Sequence, residues 1–241
     1  MRRNPLFLSV IIPCFNEEKR INNLISIHNY LETKPFEFEI IMVNDGSTDK
    51  TLSLLKIHQK TILFKIITYK KNRGKGYAIK KGMLAAKGEH RLFTDIDLST
   101  PMDEFDKFLP HLAKHDIVIA TRKKKDSIFI KRQPFLRESL GKGFTLLAKA
   151  IFRITVSDFT CGFKCFSKKA AGKIFSKQRI DRWGFDSEIL YIAKKHNFHI
   201  KEIKIRWKHD PGTKVKFPQD IFISLFDLGK ILYYDLRKKY K

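Results

Sequence analysis

The chain is predicted to be an α/β protein with a mostly parallel central sheet and helices on both faces. Three observations carry that prediction. Apolar runs at residues 6–12 and 38–43 read as strands buried on both sides, the pattern of parallel strands. Segments of helical spacing alternate with such runs. Clusters of acids, glycines and small polar residues follow the strands directly, at the carboxyl ends where open α/β sheets collect their ligands.

Taken in order, a helix at about 17–31 joins the first two strands into a β-α-β start. A second helix at 48–59 leads to a strand at 65–69, a third at 76–86 leads to a strand at 91–94, and another leads to a strand at 117–120. After Arg122 the character changes. Lys123, Lys124, Lys125, Lys131, Arg132 and Arg137 crowd around Ile128, Phe129, Ile130 and Phe135 in a basic connector. Residues 143–154 then place Phe144, Leu147, Ala148, Ile151 and Phe152 at helical spacing, and 221–234 form a second apolar-rich helix interrupted by Asp227 and Lys230. Each can pack on the core or lie in a membrane interface, and the basic neighbourhood favours the interface for the first. No repeat or low-complexity linker divides the sequence, and 241 residues need only one core, so 1–241 is read as a single domain with halves at 6–122 and 123–241.

A formal charge of +24 implies either a strongly Lys-biased composition or an anionic partner surface, for which the candidates are nucleic acid, lipid headgroups or a phosphorylated substrate. Nucleic acid is not expected, because no helix-turn-helix, zinc finger or exposed aromatic pattern accompanies the charge and acids at the strand ends oppose a polyanion there. An anionic membrane surface fits a Lys-rich exterior, at about 1 kcal/mol per basic residue near the headgroups. Three cysteines, Cys14, Cys161 and Cys165, leave an odd count without a zinc spacing and are read as reduced thiols. The basic start leads into only seven apolar or small residues before Pro13, too few for a signal peptide. No uncharged stretch approaches the roughly 18 residues of a membrane span. The expected location is the cytoplasm, peripheral on the cytoplasmic face of a membrane.

The chemistry concentrates in four motifs. In Thr94-Asp95-Ile96-Asp97-Leu98-Ser99, two acids flank one apolar residue at a strand end. Such hard oxygen ligands suit Mg²⁺ or Mn²⁺ held together with substrate phosphates, which points to a nucleoside diphosphate. Ile12-Pro13-Cys14-Phe15-Asn16-Glu17 passes from a strand into a helix whose amino end Glu17 suits. In Val43-Asn44-Asp45-Gly46-Ser47-Thr48-Asp49, Asp45 can bond a base or ribose edge while Ser47 or Thr48 caps the next helix. Asn72-Arg73-Gly74-Lys75-Gly76 opens a helix with free N–H groups and a lysine for a pyrophosphate. It lacks the Walker spacing, which weighs against ATPase or GTPase chemistry. His28, His58, His111 and His115 have no metal-ligand spacing. The loop His209-Asp210-Pro211-Gly212-Thr213-Lys214 is placed to close over a nucleotide.

In this order the four motifs resemble the family 2 glycosyltransferases with the nucleotide-diphospho-sugar (GT-A) fold. The resemblance implies that Pro13, Phe15, Glu17 and Asp45 surround base and ribose, that Lys75 lies near the nucleotide, and that Asp95, Ile96 and Asp97 lie at sugar and metal. Thr121-Arg122, Arg137, the block Asp158-Phe159-Thr160-Cys161-Gly162-Phe163-Lys164-Cys165, and Arg182-Trp183-Gly184-Phe185-Asp186-Ser187-Glu188 are similar to the polyprenyl-phosphate sugar synthases, most of all the dolichyl-phosphate β-glucosyltransferase branch. By that resemblance the second half faces acceptor and membrane, Arg122 and Arg137 hold the acceptor phosphate, and the donor is UDP-glucose. Two departures stand out: the N-terminal anchor of eukaryotic members is missing, and Asn44 replaces the Asp usual before Asp45.

Inversion at the sugar carbon follows if an anionic lipid phosphate attacks in line. Such a phosphate is already ionised near neutral pH and needs cations rather than a general base. Arginine suits the task because its planar fork matches phosphate. A rival enzyme acting on a glycan hydroxyl would need a carboxylate base, for which Asp186 or Glu188 are the candidates.

Overall fold

The computed structural model describes residues 5–122, 129–131, 135–208, 210, 212 and 219–241. Strands β1 (Leu8–Cys14), β2 (Phe38–Asn44), β3 (Lys65–Thr68), β4 (His90–Phe93), β5 (Ile117–Thr121), β7 (Lys164–Ser167) and β8 (Ile200–Lys204) form one sheet in the order β3-β2-β1-β4-β7-β5-β8. All pairings are parallel except those of β7, which runs antiparallel between β4 and β5. A second, two-stranded sheet pairs β6 (Phe129–Lys131) with β9 (Trp207–Lys208). The predicted α/β class and mostly parallel sheet are observed.

Side-chain alternation along the strands sorts the core into two layers. Ile11, Ile41, Val43 and Phe93 face α3 (Lys75–Ala85), α5 (Phe135–Phe152), α6 (Lys168–Lys177), α7 (Phe185–Lys195) and α8 (Gln219–Leu236). Val10, Ile12, Ile40, Met42 and Leu92 face α1 (Asn23–Glu32), α2 (Thr51–His58), a 3₁₀ turn at Met102–Lys107 and the short α4 (Leu109–Leu112). Both faces are therefore covered, which is why β1 and β2 read as unbroken apolar runs. Pro13 is accommodated within β1 because it falls beyond Ile11, the last residue paired with β4, on the side where no ladder needs its N–H.

Several local expectations are corrected. Helix α1 begins at Asn23, not near Glu17: residues 17–22 form a turn in which the N–H groups of Arg20 and Ile21 both donate to the Glu17 carbonyl. Neither Ser47 nor Thr48 caps α2. Its first turn is held by Asp49, which accepts from the Thr51 N–H at 2.9 Å, while the Ser47 hydroxyl and the Thr48 N–H bond Asn16 across the neighbouring loop. Helix α5 starts at Phe135, before the predicted 143. Asn44 acts within the frame, its amide donating to Thr68 of β3 at 3.0 Å and its carbonyl oxygen accepting from the Ser47 N–H at 3.3 Å.

Candidate active site at the carboxyl edge of the sheet

The loops leaving β1, β2, β4 and β5 meet around a cavity of 580 Å³. Pro13, Phe15 and Glu17 line it from the end of β1, Asp45 from β2, Lys75 from the start of α3, Asp95, Ile96 and Asp97 from β4, and Arg122 from β5. Nine predicted site residues thus share one wall-to-wall space. Arg137 falls within α5, but its side chain is not among those described; the connector at 123–128 lies outside the described residues, as do His209, Pro211, Thr213 and Lys214 of the C-terminal loop.

Lys75 and the two aspartates form the charged floor. The Lys75 ammonium stands 2.6 Å from Asp95 Oδ1, and that carboxylate, with Asp186 and Asp97 further off, outweighs the burial that would lower the lysine, so its pKa is raised. Asp97 is pushed above the usual carboxylate range by burial first and by the neighbouring Asp95 charge second. Its Oδ1 accepts from the Ser99 N–H at 2.8 Å, and this turn holds Leu98 at a φ of 51°. A branched residue in that left-handed region is strained, and such strain gathers where geometry is fixed for function. No third Asp, Glu, His or Cys joins the pair among the described residues. A half-buried like-charge pair of hard oxygen donors facing the cavity, short of ligands by itself, fits a divalent ion whose remaining ligands are phosphate oxygens.

Asp45 serves a different purpose from contact with a base alone. It is buried, and its carboxylate accepts from the Arg73 N–H, the Gly74 N–H and the Asn72 amide, each at 2.8 Å. These bonds shape the Gly-rich turn from which Lys75 projects. Gly74 sits there at a φ of 109°, and a Cβ on it would lie 2.6 Å from the Asp181 carbonyl oxygen.

Arg122 is more committed than its sequence context indicated. Its Nε and Nη2 donate to the two oxygens of buried Asp158 at 2.7 and 2.9 Å, and Nη2 also reaches Thr160 at 2.9 Å. The planar fork closes on a protein carboxylate, leaving a phosphate to meet the guanidinium from another edge. That guanidinium lies 5.3 Å from the Trp207 ring, which also lines the cavity.

Three participants were given no individual role by the sequence reading. Gly162, on the loop before β7, abuts Asp95 so closely that a Cβ would lie 2.2 Å from Oδ2. Arg20 pairs with Glu17 at 2.8 Å and with Asp210 at 2.6 Å, and Asp210 and Gly212 both line the cavity beside it. Lys164 is fully buried and bonds Asp186 and the Cys161 carbonyl. Only the Asp158–Cys165 block, with a lysine inside an apolar strand, carried a sign of this.

The two base candidates fail on geometry. Asp186 is held by Lys164, and Glu188 is fully buried, accepting from the N–H groups of Arg179 and Ile180 and from the Tyr240 hydroxyl. Neither lines the cavity. All three cysteines are buried and free.

Glycosyl transferase family 2 matches residues 9–175. The chain is a family 2 glycosyltransferase. It is 32% identical over 95% of its length to the dolichyl-phosphate beta-glucosyltransferase of Dictyostelium discoideum, covering 74% of that protein, and 34% identical over 97% to that of Homo sapiens, covering 75%. Among solved structures, glucosyl-3-phosphoglycerate synthase from Mycobacterium tuberculosis with UDP aligns at TM-score 0.67 and 16% identity, over 94% of this chain and 80% of that one. The same enzyme with Mn²⁺ and UDP-glucose aligns at 0.66 and 15%, over 92% and 79%. At such identity these neighbours speak to the fold, which is GT-A.

Proposed function

We propose that this glycosyltransferase transfers glucose from UDP-glucose to a polyprenyl or dolichyl phosphate, inverting the sugar carbon, as a single domain docked on the cytoplasmic face of a membrane. The observation that carries the reading is the meeting of Lys75, Asp95, Asp97 and Arg122 in one cavity, in a chain that resembles dolichyl-phosphate β-glucosyltransferases over nearly its whole length.

In this reading Asp95 and Asp97 hold Mg²⁺ or Mn²⁺, which when bound offsets the charge that grows on the departing diphosphate. Lys75 adds a second positive charge beside the same oxygens. Pro13, Phe15 and Glu17 shape the nucleoside end, and Asp45 supports it by fixing the turn that carries Lys75. Arg122, with Arg137, holds the acceptor phosphate, whose own charge makes it the nucleophile. No base is required, in keeping with the burial of Asp186 and Glu188, neither of which lines the cavity.

The lipid reading draws support from α8. Phe222, Phe226, Tyr233 and Leu236 recur at helical spacing and are exposed, Leu236 at 82%. Asp220, one residue pair before Phe222, lines the cavity, so this stripe starts at the cavity rim. Leu146 and Leu147 of α5 are exposed as well. No helix among the described residues is long and apolar enough to cross a membrane. An interfacial attachment accounts for the exposed stripe and the +24 charge together.

The test is incubation with Mn²⁺ or Mg²⁺, short-chain polyprenyl phosphate and a panel of UDP- and GDP-sugars, following label into organic solvent. Metal-dependent transfer from UDP-glucose, absent in Asp97→Ala, is the expected result. Turnover only with glycan acceptors would overturn the lipid-phosphate reading.

A further inference from the structure

A polar chain that begins at two fully buried side chains connects a residue outside the cavity lining to the cavity floor. Tyr240 has no exposed surface, and its hydroxyl donates to Glu188 Oε1 at 2.6 Å. Glu188, also without exposed surface, receives the Arg179 N–H on the same oxygen at 2.9 Å and the Ile180 N–H on Oε2 at 2.8 Å. Three donors thus converge on one carboxylate, and two of them are backbone groups of the segment between α6 and α7. A carboxylate in such a place is costly unless every oxygen is satisfied.

The segment it anchors grips the amino end of α3. The Asp181 carbonyl accepts from the Tyr77 N–H at 2.9 Å, satisfying a first-turn donor that the helix itself cannot. Buried Gln178 donates to the carbonyls of Gly76 and Ile180, each at 2.9 Å, and the Lys80 ammonium returns to the Gln178 carbonyl at 2.6 Å. Gly74 is pressed against the Asp181 carbonyl oxygen, so the turn ahead of Lys75 has no slack on that side. The same segment continues into Arg182 and Trp183, which line the cavity, and the Lys75 ammonium lies 5.8 Å from the Trp183 ring.

We infer that Tyr240 is a positioning residue for donor binding: through Glu188 and residues 178–183 it fixes the amino end of α3, and with it the reach of Lys75 toward the donor's diphosphate. The inference rests on the nucleotide-donor reading and extends it to a residue outside every motif. Removing the hydroxyl leaves Glu188 Oε1 with one donor instead of two, and the carboxylate then relaxes by rotating or taking a proton. Either change slackens its hold on Arg179 and Ile180, and that displacement passes to the turn at Gly74.

The experiment is calorimetric titration of UDP in the presence of Mn²⁺ on the full chain, beside donor and acceptor KM values. Tyr240→Phe keeps the ring that fills the core and is expected to bind UDP about fivefold more weakly, the loss of part of one charge-assisted hydrogen bond. Donor KM rises with it while acceptor KM stays, whereas a purely structural role would lower the melting temperature and the active fraction without moving donor KM. Glu188→Gln, which must turn an amide N–H toward a backbone N–H, is the second probe and is expected to weaken UDP at least as much. Folded variants with wild-type UDP affinity would overturn the coupling. A wild-type chain that binds no UDP would overturn the donor reading and the coupling with it.

Discussion

At Gly162 a hydrogen in place of a side chain decides whether Asp95 can stand where it does. A methyl group there would occupy the space of Oδ2, 2.2 Å away, and the carboxylate would have to swing aside. Gly162→Ala is therefore expected to cut transfer by about a hundredfold, the scale of losing one electrostatic stabiliser, and to raise the Mn²⁺ concentration needed for half-maximal rate. Its melting temperature should change little, because the displaced atom ends a short polar side chain. Arg122 offers the opposite case. Arg122→Ala strips the guanidinium from fully buried Asp158 and should cost about 3 kcal/mol of stability along with activity. Arg122→Lys keeps the charge but loses the fork; a raised KM for polyprenyl phosphate in a stable Arg122→Lys protein is the outcome that assigns the residue to the acceptor. A denaturation curve beside the kinetics separates the two effects.

Among elements, α8 has one face in the core and one outside it. Leu228 and Ile231 are buried while Phe222 and Phe226 are 67% and 69% exposed. The double variant Phe222→Glu, Phe226→Glu should release the protein from vesicles containing anionic lipid yet leave turnover of a water-soluble short-chain acceptor unchanged, since surface changes away from caps and cores shift stability by about 0.5 kcal/mol or less. Co-sedimentation with the vesicles, repeated at raised salt, checks it. Elements also show what the amino-acid pattern could and could not reveal. Strands β1 and β2 were legible because coverage on both faces leaves no polar alternation to confuse with anything else. The start of α1 was misread because Glu17 and Glu18 look like first-turn acids, whereas the loop binds them elsewhere, Glu17 to Arg20 and Glu18 to the Lys50 N–H. Strand β7 went unread: it is four residues long, and its first, Lys164, is a charge that only a buried partner, Asp186, makes tolerable. Asp95, Asp97, Lys75 and Asp45 were legible because each follows a strand in a short motif. Gly162, Arg20 and Tyr240 were not, since their importance lies in contacts with residues far along the chain.

Across the whole molecule, burial lifts Glu188 from 4.5 to about 7 against the lowering effect of the Tyr240 hydroxyl, the N–H groups of Ile180 and Arg179, and the Lys80 ammonium of α3. Between those two values the folded protein keeps a proton that the unfolded chain has released, so folding takes up a proton and stability falls as pH rises through the interval. The contribution is fully favourable below the lower value and fully lost above the upper one. Melting temperatures measured across this window should decline in the wild type, and Glu188→Gln should remove that part of the slope. An unchanged slope would show that Glu188 titrates near its ordinary value.

The antiparallel strand β7 has a further consequence for the order in which the protein is made. Lys164 to Ser167 must slot between β4, complete by Phe93, and β5, complete by Thr121. When only the first 122 residues have emerged from the ribosome, two strand edges are therefore exposed whose shared partner has not yet appeared, and Asp95 still lacks the Gly162 wall behind it. The nascent chain carries every donor-side motif before Gly162 can stand behind Asp95 and before residues 178–183 can meet the amino end of α3. Chaperone capture during that interval, ending once β7 has left the exit tunnel, is the behaviour this topology calls for.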